Sequence, residues 1–117
     1  MLSVPNYFQI NSQQYGDTVV IRLGGEFDMA VEEHFDRNLE RLAADAKMIV
    51  VDLSELQFID SSGLRALLRA WRRSEADGAS MAVVPGDGQV RHTMALTGVD
   101  DVLPIAAEMP VHAPEPA

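Results

Sequence analysis

Cysteine is absent from the 117 residues, which excludes disulfide bonds and thiolate metal sites. A chain without disulfides suits a reducing compartment. No apolar run approaches the roughly 18 residues that a membrane span needs. Met1 to Tyr7 lacks the basic and apolar regions of a secretory signal, so a cytoplasmic protein is expected. Positive charge is scarce. Nine Lys and Arg stand against 18 Asp and Glu, a formal net charge of -9. An acidic surface repels phosphates, which argues against general affinity for nucleic acid and against docking on anionic lipid membranes. It favours solubility, and it also suits a basic partner. His34, His92 and His112 are scattered and show no metal-ligand spacing. No G-x-S-x-G element is present. Gly86-Asp87-Gly88 lacks the Lys-Ser/Thr of a phosphate-binding loop and reads as a plain turn. Neither catalysis nor a stably bound cofactor is expected. No repeat of solenoid length is visible.

What is present is the pattern of one α/β domain. The length fits one domain, and roughly two thirds of the unfolded surface can be buried at this size. Phe8 to Gln14 reads as a strand, Gly16-Asp17 as a hairpin turn, and Thr18 to Leu23 as a β-branched strand ended by Gly24-Gly25. The short loop makes this pair antiparallel. Asp28 stands where a helix begins and can cap it. Val31, Phe35, Leu39 and Leu42 follow at helical spacing as a buried face. Glu32, Asp36 and Glu40 share another face at i,i+4 spacing, as a solvated surface or as an acidic docking stripe.

Met48 to Val51 suits a strand buried on both faces. Asp52 to Ile59 reads as a loop, polar and then apolar. Asp60-Ser61-Ser62-Gly63 opens a second helix, in which Leu64, Leu67, Leu68 and Trp71 give the core spacing. Asp77-Gly78 stops that helix. Ser80 to Val84 is another buried strand. Gln89 to Thr97 is a short helix with Val90 and Met94 inward and Gly98 as its stop. Val102 to Ile105 is a last strand or edge segment. A hairpin followed by βαβ units implies an α/β fold: a mixed β-sheet of four to five strands with helices packed on it and right-handed crossovers. The domain is expected to span residues 1–108. Residues 109–117 hold three prolines and little to bury, so a disordered tail is expected there.

The segment from Ile49 to Arg73 carries the chemistry. The first amides of a helix lack intrahelical partners, and the dipole there favours negative charge. A serine at this point presents its hydroxyl, and a phosphate on it is tolerated by the fold. Gly63 has no side chain and allows another backbone to come close. Arg65, four residues after Ser61, is within reach of a phosphate placed there. Asp60, Ser61 and Ser62 are also common cap residues, so these four positions alone leave a purely structural cap open.

The run Asp52-Leu53-Ser54, Leu56, Phe58, Asp60-Ser61-Ser62-Gly63-Leu64 resembles the anti-sigma factor antagonists, the founding group of the STAS domain family. Gly25-Glu26-Phe27-Asp28 followed by Ala30 is similar to the family's element before its first helix. Leu96-Thr97-Gly98-Val99 with Val102 and Ile105 is similar to its ending. The resemblance runs from about Tyr7 to Ile105. It implies a partner switch without enzymatic activity. The unphosphorylated protein binds an anti-sigma factor that is also a serine kinase, which frees a sigma factor for transcription in stress response or sporulation. The kinase phosphorylates the first serine of the motif, here Ser61, and a metal-dependent serine phosphatase restores it. ATP and its metal arrive with the kinase. The resemblance implies that Glu26, Asp28, Asp60, Ser62, Gly63 and Arg65 shape the site or touch the partner. Some STAS proteins are instead adaptors in transport or signalling assemblies, which leaves a second binding class open. Two departures stand out. Arg65 occupies a position that is often small, and the final amphipathic helix looks shortened or missing, which would expose apolar surface and favour a homodimer.

Overall fold

The computed structural model describes residues 6–110. The elements follow the order β1 (Phe8–Tyr15), β2 (Thr18–Phe27), α1 (Glu32–Leu42), β3 (Met48–Ile59), α2 (Ser61–Ala76), β4 (Ser80–Val84) and α3 (Gln89–Thr97). Two short 3-10 turns, Met29–Val31 and Val99–Asp101, precede α1 and follow α3. The sheet order is β1-β2-β3-β4. β1 runs antiparallel to β2, with Phe8 opposite Gly25 and Tyr15 opposite Thr18. β2, β3 and β4 are parallel, as the intervening helices require. The sheet is therefore mixed, as expected. Val102 to Ile105 does not form a strand. Ile105 makes one parallel bridge to Val83 at the sheet edge, because the 3-10 turn before it leaves too few extended residues to pair.

Strand alternation sorts the side chains onto two faces. Val19, Ile21, Leu23, Ile49, Val51, Leu53, Met81 and Val83 share one core with Phe35 of α1, Leu64 and Leu67 of α2, and Val90 and Met94 of α3. The helices thus cover one face of the sheet. On the other face Val20, Val50 and Val84 form a smaller cluster, against which Tyr15, Met48, Ala106 and Met109 pack. Leu39, Leu42 and Trp71 are half-buried against the main core, so Trp71 serves packing. The tail expectation otherwise falls on residues 111–117, outside the described residues.

Two strands are longer than their residue types suggest. β2 does not end at Leu23 but continues through Gly24 and Gly25 to Phe27. β3 does not end at Val51 but continues through the polar run to Ile59. Register irregularities between Arg22 and Gly24, and again between Gly25 and Glu26, let the paired strands extend together. Asp52 is buried in β3 because its carboxylate is fully engaged. It accepts from Arg22 Nε at 2.9 Å and from the Ser54 amide at 2.9 Å. Burial opposes its charge, but the Ser54 amide and the Arg22 guanidinium outweigh burial and hold Asp52 below the usual carboxylate range. Ser54, Glu55, Gln57 and Phe58 then face solvent along the strand.

The acidic row of α1 is neither free for docking nor merely solvated. Arg69 of α2 reaches Glu32 at 2.8 Å and Asp36 at 3.0 Å, and Arg73 reaches Glu40 at 3.3 Å. These pairs tie α1 to α2 and offset the like-charge repulsion within α1.

Candidate functional site

The site forms where β2 and β3 end side by side. Phe27 and Ile59 are register partners, and the Asp60 amide donates to the Phe27 carbonyl at 3.2 Å. Asp28 and Asp60 therefore leave neighbouring strands together, and each opens a helical segment. Asp28 Oδ1 accepts from the Ala30 amide at 2.9 Å and caps the 3-10 turn that leads into α1. Asp60 Oδ1 accepts from the amides of Ser62 at 2.9 Å and Gly63 at 3.2 Å. Both are extended-backbone caps of the ordinary kind.

Three adjacent residues, Asp60, Ser61 and Ser62, are of types that can cap α2. Asp60 takes that role, because one carboxylate oxygen satisfies two amides at once. Ser61 then becomes the first helical residue and is exposed, whereas Ser62 and Gly63 are buried. Only the first serine of the pair is open to a modifying enzyme. A phosphate on it would not find the Ser62 and Gly63 amides free. Gly63 also has a different role from the one expected. A Cβ there would lie 2.5 Å from Ile59 Cγ1 and 3.0 Å from Phe27 Cδ1. The space is filled by the chain's own core, so the glycine admits α2 to the sheet and not a partner's backbone.

Arg65 is exposed one turn beyond Ser61 on the same side of α2. Glu26 is exposed near the end of β2, opposite Phe58. Met29 and Phe58 add exposed apolar surface at this end of the sheet, at 74% and 41% accessibility. Phe58 stood out in the sequence only as part of the family-like run, and neither Met29 nor Tyr7 stood out as a site residue. The Tyr7 hydroxyl donates to Asp28 Oδ2 at 2.7 Å. The hairpin register carries the signal for this contact: Phe8 opposite Gly25 sets Tyr7 beside Glu26 and within reach of Asp28. The hydrogen bond to Asp28, with lesser help from burial and from the negative charge of Asp28 and Glu26, pushes the phenol up to about 12. In a Tyr15→Phe chain, ultraviolet titration of the remaining tyrosine is expected to find its midpoint near 12. A midpoint near the ordinary value of about 10 would remove the Tyr7–Asp28 contact from the site.

Asp60→Ala removes the cap and is expected to cost about 1 kcal/mol in urea unfolding. Asp60→Asn, which keeps an acceptor oxygen, is expected to recover most of that loss. Equal losses in the two variants would mean that charge matters here and capping does not.

Two surface grooves are present, the second bordered by Tyr7 and Glu26 of the site. One of about 520 Å³ runs between the C-terminal halves of α1 and α2, lined by Leu39, Ala43, Ile49, Arg69 and Arg73 among others. Another of about 680 Å³ lies over Gly24 and Gly25. Ser61 lines neither. Among the described residues no cluster of three or more His, Cys, Asp or Glu could hold a metal, and no helix is long and apolar enough to cross a membrane.

Residues 9–110 match the family model described as the STAS domain. The chain belongs to the STAS domain family. It is 29% identical over 104 residues to the anti-sigma F factor antagonist of Paenibacillus polymyxa, covering 83% of this chain and 85% of that relative. Its fold is similar to the crystal structure of an anti-sigma factor antagonist from Mycobacterium paratuberculosis, at a TM-score of 0.79 and 25% identity over 92% of each chain. It is also similar to the Bacillus cell fate determinant SpoIIAA in its phosphorylated form, at a TM-score of 0.62 and 26% identity, covering 86% of this chain and 92% of that one. This STAS domain thus shares its fold with an anti-sigma factor antagonist and with a protein solved in its phosphorylated form.

Proposed function

We propose that this STAS domain is an anti-sigma factor antagonist switched by phosphorylation of Ser61. The unphosphorylated chain docks on an anti-sigma factor that carries serine kinase activity, and a sigma factor is released. Phosphorylation of Ser61 ends that docking, and a serine phosphatase restores it. The observation that carries this reading is the contrast at the start of α2: Ser61 is exposed at the first helical position, and Ser62 beside it is only 5% accessible. Membership of the family and likeness to named antagonists support the role.

The test is to incubate the chain with each purified anti-sigma factor kinase of its source genome and ATP, and to read the intact mass. One phosphoryl addition, absent in Ser61→Ala, is expected. Modification that persists in Ser61→Ala would place the switch elsewhere, and a native chain left unmodified by every such kinase would overturn the reading in favour of an adaptor. A second reading, association with a second copy of the chain, is favoured by exposed apolar surface at the end of α3 and after it. No helix follows Asp101 through residue 110, and Leu96 and Val102 stand exposed at 74% and 51%.

A further inference from the structure

We propose that Arg65, Leu68 and Arg72 form a docking row for an acidic segment of the partner protein. This rests on the antagonist reading and names the chemistry that the partner must present. Arg22, Arg37, Arg69, Arg73 and Arg91 each lie within ion-pair distance of a carboxylate. Arg41 donates to Asn38 Oδ1 at 2.9 Å. Among the described residues, Arg65 and Arg72 are the arginines whose side chains have no such partner. In a chain of net charge -9, unopposed positive charge is the scarce feature, and here it occurs twice on one helix.

The two arginines are aligned. Ser61, Arg65, Leu68 and Arg72 are spaced i, i+4, i+7 and i+11, which places them in one row along α2. Ser61, Arg65 and Arg72 are exposed, and Leu68 is half-buried between the arginines. Arg65 and Arg72 are two turns apart, about 10 Å along the helix. The row therefore offers two cations flanking an apolar centre, and it begins at the serine. An acidic helix or loop with carboxylates at matching separation fits it. The rest of this acidic surface repels such a segment, so the row would fix orientation and register as well as attract.

The placement also couples docking to the switch. A phosphate on Ser61 stands one turn from Arg65 on the same row and competes with the partner's carboxylate for that guanidinium. Modification would then remove an attractive contact as well as add a repulsive one.

The experiment uses the kinase identified by the phosphorylation assay and measures its dissociation constant for the full chain. The double reversal Arg65→Glu with Arg72→Glu is expected to raise Kd roughly a hundredfold. The double Lys variant should stay within roughly tenfold of native, because it keeps both charges. Arg41→Glu with Lys47→Glu makes the same change of net charge away from the row and serves as the control, which should change Kd by no more than about threefold. Far-ultraviolet circular dichroism should be superimposable, since both substituted side chains are exposed. Reversal of one partner carboxylate to Lys should restore part of the binding of the Glu variant, a readout that a merely structural role would not move. Native binding that survives the double reversal unchanged overturns this proposal and leaves the antagonist reading standing. Loss of affinity equal to that of the Arg41→Glu, Lys47→Glu control also overturns it. A native chain that fails to bind overturns both.

Discussion

A phosphoryl group on Ser61 is expected to weaken binding to the anti-sigma factor at least about a hundredfold while the domain keeps its fold. A hundredfold loss corresponds to about 2.7 kcal/mol, and the added charge of about -1.5 to -2 at pH 7 is placed where it is poorly tolerated in a complex. The Asp60 carboxylate already occupies the amides of Ser62 and Gly63, so the helix end does not draw the dianion inward. Asp60 precedes it in sequence, and Asp28 leaves the neighbouring strand. Both carboxylates reinforce the negative field. The phosphate remains at the surface that must be desolvated on docking. Ser61→Glu supplies one charge and fewer acceptor atoms, so a smaller loss is expected, and Ser61→Ala should bind like the native chain. Ser62→Glu gives the contrasting signature. That position is buried, so its charge should lower the thermal midpoint sharply, whereas Ser61→Glu should move it by no more than a few degrees. Calorimetric binding and thermal unfolding on the same samples check the series. Native affinity in Ser61→Glu, or a binding loss matched by unfolding, would defeat the switch.

The regular helices were legible because their signals are local. Asp60 ahead of Leu64, Leu67 and Leu68 marks the start of α2, and Gly98 marks the end of α3. The β-branched cores of β2, β3 and β4 were legible for the same reason. The extensions of β2 and β3 were not. Gly24, Gly25, Ser54 and Glu55 have poor strand propensity, and they pair because the neighbouring strand extends with them. Pairing of that kind is a tertiary override of local preference. At the site, the family resemblance pointed to Ser61, Asp28 and Asp60 together, and the fold brings the elements that carry them to one corner. Which residue caps α2 depended on competition among three adjacent cap formers, decided by backbone geometry. The fate of Glu32, Asp36 and Glu40 depended on Arg69 and Arg73, more than 30 residues away. Helical periodicity shows that an acidic row exists, but not what stands opposite it.

Gly25→Ala is expected to destabilise the domain by about 3 kcal/mol or more, with a fall in Tm of roughly 10 °C or more. Two costs coincide at this position. The backbone has φ +83, a conformation that an L side chain adopts only with strain of about 1 kcal/mol or more. In addition, a Cβ would lie 1.8 Å from the Tyr7 carbonyl oxygen and 2.8 Å from its carbonyl carbon. Backbone cannot rotate aside as a flexible side chain can, so the start of β1 must move. Gly78→Ala separates the two costs. Its φ is +75, but nothing lies within 4 Å of an added Cβ, so strain alone should cost about 1 kcal/mol. The difference between the variants measures the clash. It also reaches the site. The Tyr7 carbonyl accepts from the Glu26 amide at 3.0 Å, and the Tyr7 hydroxyl braces Asp28. Displacing Tyr7 should loosen that brace, so the phenol of a Gly25→Ala, Tyr15→Phe chain should ionise closer to the ordinary value of about 10 than in the chain that keeps Gly25. Urea unfolding of both alanine variants and ultraviolet titration of the double variant test the argument. A Gly25→Ala loss no greater than that of Gly78→Ala would show that β1 yields without cost and that the Gly25–Tyr7 contact does not hold the corner in place.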